Sequence, residues 1–98
     1  MLELSLDAAT YVDHVRRRLA LPESAGLRFW VADGDDSEPF QVGFAATPAD
    51  EDDVIERGGA RVFVAPELAL AFMTHALDVD AQSDPPNLVL RSQWDHAR

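Results

Sequence analysis

Val54-Ile55-Glu56-Arg57-Gly58-Gly59-Ala60-Arg61-Val62-Phe63-Val64-Ala65-Pro66 is the stretch on which the reading of the fold turns. Two runs rich in β-branched and aromatic residues flank Gly58-Gly59, and two consecutive residues that tolerate positive φ are what a two-residue type I′ hairpin turn demands. The segment therefore predicts strands at Val54 to Arg57 and Ala60 to Val64, joined tightly. Pro66 lacks a backbone N–H and has φ already fixed, which suits the first turn of a helix. A short helix through Glu67, Leu68, Ala71 and Phe72 is expected to follow.

Upstream, Gly26 opens a run in which Leu27, Phe29 and Val31 alternate with Arg28, Trp30 and Ala32, and Phe40, Val42 and Phe44 repeat the alternation. Period two predicts two more strands, separated by an acidic loop. Nearer the start, Leu2 to Leu4 reads as a short strand. Ser5 is placed to cap a helix, with Asp7 in its first turn where a carboxylate complements the dipole. Ala8, Val12, Val15 and Leu19 form the expected apolar stripe, Asp13 and Arg17 an i,i+4 pair, and Pro22 the stop near Leu19 to Leu21. Downstream, Leu77 and Val79 alternate with Asp78 and Asp80. Asp84-Pro85-Pro86 breaks the chain before a last strand through Leu88 and Leu90.

This order lacks the regular βαβ alternation of a parallel doubly wound sheet. It predicts an α+β fold that is mainly β with packed helices: a small antiparallel or mixed β-sandwich with an N-terminal helix. Ninety-eight residues suffice for one domain, taken as 1–92, with 93–98 as a C-terminal tail.

Composition narrows the chemistry. There is no Cys and no Lys, and eight Arg face eighteen acids, a formal net charge of −10. Nucleic acid and anionic membrane are excluded as expected partners, since both need clustered cations. Thiol nucleophiles, disulfides, Schiff-base lysines and P-loop ammoniums are absent by composition. Ser5 and Ser37 have no neighbouring His, and no carboxylate pair stands apart as an acid and base, so an enzyme is not expected. The acidic start does not read as a signal peptide, and no apolar run approaches a membrane span, so a cytoplasmic protein is expected.

Several of these motifs, taken in order, resemble the HesB/IscA-like family of A-type iron–sulfur biogenesis proteins. Leu4-Ser5-Leu6-Asp7-Ala8-Ala9 opens the first helix, and Gly26-Leu27-Arg28-Phe29 opens a strand. Pro48-Ala49-Asp50-Glu51-Asp52-Asp53-Val54-Ile55-Glu56 leads into the hairpin, and Gly59-Ala60-Arg61-Val62-Phe63-Val64-Ala65-Pro66-Glu67 leads into the second helix. The resemblance covers nearly the whole chain. It implies the family's fold, and with it homodimers or contacts with assembly partners.

The resemblance also marks a departure. Family members that handle clusters carry one Cys in a loop after the Gly-x-Arg strand and a Cys-Gly-Cys near the C-terminus. Here Asp36 falls about where the first Cys would be, and the tail reads Gln93-Trp94-Asp95-His96-Ala97-Arg98. Bridging sulfide iron needs thiolate ligands, so no iron–sulfur cluster is expected as a cofactor. Asp36, Asp95 and His96 are the candidates for a carboxylate and imidazole site holding iron or another divalent cation instead. The expected function is a cysteine-free HesB-like domain acting through protein contacts, with a link to cluster assembly; a divalent-cation carrier is the alternative.

Other features carry weaker signals. Asp33, Asp35 and Ser37 begin a Ca²⁺-loop spacing, but Glu38 replaces its Gly and Phe44 its terminal Glu. Eight acids between Asp33 and Asp53, with no Lys or Arg among them, read as a solvated acidic run. Arg16-Arg17-Arg18 cannot form one flat patch on a helix and is expected to pair with acids near the helix C-terminus. His14 and His75 are expected at the surface. Trp30 beside Arg28, and Trp94 in the polar tail, are the candidate interaction residues, because aromatic side chains near Arg are favoured at interfaces.

Overall fold

Gly58 and Gly59 turn the chain at φ of 56° and 85°, and the residues on either side pair antiparallel from Arg57↔Ala60 to Asp53↔Val64. The structure, a computed structural model, describes residues 2–31, 40–80 and 87–92. In chain order the elements are β1 (Glu3–Leu4), α1 (Leu6–Arg18), β2 (Gly26–Trp30), β3 (Gln41–Ala45), β4 (Asp53–Arg57), β5 (Ala60–Val64), α2 (Pro66–Phe72), β6 (His75–Asp80) and β7 (Asn87–Ser92). The predicted elements all form, within the usual residue or two at their ends. The Asp84-Pro85-Pro86 break lies outside the described residues.

Two sheets result, one of three strands in the order β1-β6-β7 and one of four in the order β3-β2-β5-β4. Hairpin partners pair antiparallel, but β1 with β6 and β2 with β5 run parallel, so both sheets are mixed. The parallel pairs join segments distant in sequence, β1 and β6 across both helices and β2 and β5 across β3 and β4, and no local periodicity announces them.

Alternation along β2 and β5 sends Leu27, Phe29, Val62 and Val64 into the core, where they meet Ala8, Ala9 and Val12 of α1, Leu68 and Phe72 of α2, and Leu77 of β6. Ala8 and Ala9 are fully buried and small, which lets the α1 backbone lie close to the strands beneath it. Phe29, Phe40 and Phe72 meet edge to face, with centroids 5.4–5.7 Å apart, and tie α2 to β2.

The apolar stripe of α1 is shifted from its expected line. Ala8, Ala9, Val12 and Arg16 are its buried residues, whereas Val15 is half-buried and Leu19 is 56% exposed. Leu19 departs because the helix has ended: it is the C-cap, and beyond it the N–H of Ala20 donates to Arg17 O and that of Leu21 to Arg16 O. These two bonds are a Schellman motif, so a hydrogen-bonded reversal stops the helix ahead of Pro22. Arg16 takes the inward position because its guanidinium donates to Leu21 O at 3.1 Å and Asp13 Oδ1 at 2.8 Å.

The Schellman motif places Ala20 at φ 57°, a left-handed conformation that a Cβ disfavours. Ala20→Gly should relieve more strain than it adds in unfolded-chain entropy, raising stability by about 0.5–1 kcal/mol. Urea unfolding should show a higher midpoint at an unchanged slope. Gly26 has the opposite requirement. A Cβ there would lie 2.6 Å from Arg61 O and 2.9 Å from Phe63 Cζ. Gly26→Ala should therefore cost about 2 kcal/mol or more, and an unaltered urea midpoint would disprove the close approach.

Candidate functional site

The order β3-β2-β5-β4 puts consecutive strands β3 and β4 on opposite edges of one sheet. Their connection, residues 46–52, must cross β2 and β5. Three inter-strand steps are about 14 Å, and seven extended residues reach roughly 23 Å, so the crossing is short and direct. It passes over the face opposite the core. That is the face to which alternation assigns Arg28 and Trp30 of β2, Gly43 of β3 and Phe63 of β5.

Asp52 fixes the end of the crossing. Its carboxylate receives Arg28 Nε at 2.8 Å on Oδ2 and Arg28 Nη2 at 3.1 Å on Oδ1, a bidentate pair, and Oδ2 also accepts the Ala49 N–H at 2.9 Å. The Asp52 side chain is fully enclosed, while that of Arg28 keeps 23% of its surface. The Arg28 hydrogen bond lowers the Asp52 pKa below the ordinary carboxylate value, outweighing the burial that would raise it, and the Ala49 N–H adds to the lowering. The same hydrogen bond raises Arg28. A turn from Ala49 to Asp52, closed by the Asp52 N–H on Ala49 O and holding Glu51 at φ 69°, sets the carboxylate in place.

Above this pair, the Arg28 guanidinium lies 5.8 Å from the centroid of the half-buried Trp30 ring, within cation–π range. A Cβ on Gly43 would lie 3.4 Å from Trp30 Cη2, an ordinary van der Waals contact, so the indole lies against the strand at this glycine. Of the interaction candidates, then, Arg28 is bound internally to Asp52 and Trp30 presents a partly covered ring beside it. Asp36, Trp94, Asp95 and His96 lie outside the described residues, as does the Asp33, Asp35 and Ser37 loop. Among the described residues, no group of three or more His, Asp or Glu is placed to hold a metal ion.

The acidic run is not uniformly solvated, since Asp52 turns inward while Asp50 and Glu51 are exposed. Asp52 escaped the sequence reading. The signal was an Arg flanked by apolar strand residues, which needs a carboxylate when it packs against a sheet, next to a segment that supplied several. Two of the three arginines after Val15 pair with an acid as expected: Arg16 and Arg17 both meet Asp13, at 2.8 and 3.1 Å. His75 is half-buried rather than at the open surface, with Nδ1 3.0 Å from Ala71 O.

No protein-family model matches the sequence, and no curated protein matches it. Among solved structures, the chain is similar to Escherichia coli SufA, described as involved in biosynthesis of iron–sulfur clusters, with a TM-score of 0.72 at 17% identity over 94% of this chain and 80% of that one. A protein from Aquifex aeolicus gives 0.67 at 22% identity, covering 93% and 90%. IscA, solved with a [2Fe-2S] cluster, gives 0.64 at 18% identity, covering 94% and 82%. The chain thus has the HesB/IscA-like fold. It has no cysteine, so the thiolate donors that suit a [2Fe-2S] cluster are missing and its residues do not fit such a group.

Breaking the Arg28–Asp52 pair should cost about 3 kcal/mol in Arg28→Met or Asp52→Ala, because each leaves a charge without its partner. The double variant should lose less than the sum, and additive losses in urea unfolding would show that the pair is not coupled. The pH dependence has a definite sign. A carboxylate with a lowered folded pKa contributes fully above its unfolded value near 4, and the contribution is lost as pH falls through the folded value. Stability should drop below about pH 5, and the drop should be shallower in Asp52→Asn. Asp78 acts in the same direction: burial opposes its ionisation, but hydrogen bonds from the Val79 N–H, Ser5 and Arg91 lower its pKa overall.

Proposed function

We infer that this chain is a non-enzymatic domain that keeps the HesB/IscA-like scaffold, works through protein contacts and self-association, and does not itself hold an iron–sulfur cluster. The observation that carries the reading is the conjunction of that fold over more than nine-tenths of the chain with the absence of any cysteine. The likeness to SufA and IscA supports a link to cluster assembly, in which the contribution of this chain is a surface rather than a ligand set. Trp30, with its half-buried ring beside the Arg28–Asp52 pair, and Trp94 of the tail are the residues proposed to meet the partner. No helix among the described residues is long and apolar enough to cross a membrane, and the reading places the protein in the cytoplasm.

Anaerobic incubation with ferrous iron and sulfide, followed by desalting and iron analysis, tests the reading directly. The expected result is no retained iron, together with self-association in sedimentation equilibrium that weakens in Trp30→Ala or Trp94→Ala. Stoichiometric iron that is lost in Asp36→Ala or His96→Ala would replace this reading with that of a divalent-cation carrier.

A further inference from the structure

Among the described residues the two sheets end in four edge strands, β1 and β7 in one and β3 and β4 in the other. An open edge presents unpaired N–H and C=O groups to any extended chain, and globular proteins guard such edges by keeping them short or placing charges along them. Three of the four follow that pattern. β1 has two residues, one of them Glu3; β4 carries Asp53, Glu56 and Arg57; β7 carries Arg91. β3 does not. Its five residues, Gln41-Val42-Gly43-Phe44-Ala45, include no charge and no proline, and it is the only described strand without a charged side chain. In a chain of net charge −10, this is the edge along which two copies bring no like charges into register.

The side chains of β3 suit the same role. Val42 and Phe44, register partners of Phe29 and Leu27, belong to the core face, yet Val42 is 51% exposed and Phe44 half-buried. The apolar core is therefore left uncovered along this edge. A cavity of about 360 Å³ adjoins it, lined by Val42, Phe40, Phe29 and Leu77 and by Leu88 to Leu90 of β7, every one apolar. On the other face Gly43 has no side chain to obstruct a neighbouring backbone, and the Trp30 ring lies against it.

We infer that β3 pairs with the β3 of a second copy, antiparallel about a two-fold axis, joining the four-stranded sheets of both copies edge to edge. The inference rests on the self-association reading above and names its surface. With all five residues overlapped, Gly43 sits on the axis and each Val42 lies opposite the second copy's Phe44. That β-branched and aromatic cross-strand pair selects a second copy over an arbitrary extended peptide. Trp30, resting on Gly43, flanks the seam. The acids that flank β3 in sequence repel their counterparts as two copies approach, so salt strengthens the pairing.

Sedimentation equilibrium over a concentration series, at low and at high salt, tests the surface. Association is expected to tighten with salt and to weaken at least tenfold in Val42→Lys, a position exposed enough to accept the change in a single chain. Val54→Lys, on the charged edge of the same sheet and 38% exposed in the parent chain, should leave it unchanged. Because the chain has no cysteine, Gly43→Cys gives each copy one thiol. Opposed residues of an antiparallel pair have Cα atoms about 4.5–5.5 Å apart, within disulfide reach, so oxidised glutathione should link Gly43→Cys copies and not Val54→Cys copies. An unchanged near-ultraviolet circular dichroism spectrum separates a lost contact from a lost fold. A parent chain that stays monomeric at every concentration and salt would overturn this inference and the self-association reading together. Association that survives Val42→Lys, weakens as much in Val54→Lys, or leaves Gly43→Cys unlinked would overturn the β3 edge alone and leave self-association standing.

Discussion

The bidentate contact between Arg28 and Asp52 is the constraint on which the four-stranded sheet depends. A sheet in which β3 and β4 occupy opposite edges needs a connection over its face, and a connection that leaves the sheet must find partners for its backbone and for whatever it covers. Asp52 meets both needs: it accepts the Ala49 N–H within the crossing and closes on Arg28 in the strand below. Phe63, the register partner of Arg28, lies on that face and is fully buried. The sheet therefore has packed side chains on both sides, although only one side meets the helices.

A second set of contacts couples the two sheets. Ser5 caps α1 by accepting the Ala8 N–H at 3.0 Å, and its hydroxyl donates to Asp78 of β6 at 2.8 Å. Asp78 in turn accepts from Arg91 of β7, so one carboxylate joins a helix cap to two strands of the smaller sheet. Arg57 of the larger sheet reaches Leu4 of β1 in the smaller one. These polar contacts lie at the margins of the apolar core and set the angle at which its layers meet. The core itself, built from alanine, valine, leucine and phenylalanine, has no such directional preference.

What the sequence discloses and what it withholds divide along a physical line. Local signals are legible: the Gly58-Gly59 turn, the Ser5 cap, Pro66 at the start of α2 and the alternation along β2 are each decided within a few residues, and each forms as read. Non-local choices are not. Nothing near Leu27 says that it will lie parallel to Val62, and nothing near Asp52 says which of many acids will turn inward. The Schellman reversal that leaves Leu19 exposed belongs to the same class, since an alanine in a left-handed turn leaves none of the composition cues that a glycine would. At the candidate site, Arg28 and Trp30 were legible as a shared strand face, but the role of Arg28 depends on a carboxylate twenty-four residues away.

The likeness to SufA and IscA acquires its meaning from these contacts. A fold shared at a TM-score of 0.72 by a chain without a single thiolate cannot owe its topology to cluster ligation. Here the architecture is held by an apolar core of small and branched residues, a crossing pinned by one ion pair and a helix cap tied to the second sheet. Each of these is independent of iron. Where scaffold and ligand set are separable in this way, ligands can be lost while the surfaces built by the scaffold persist. What this chain offers a partner is then to be sought among the groups the fold positions without a metal, the half-buried Trp30 and the Arg28 held beside it among them.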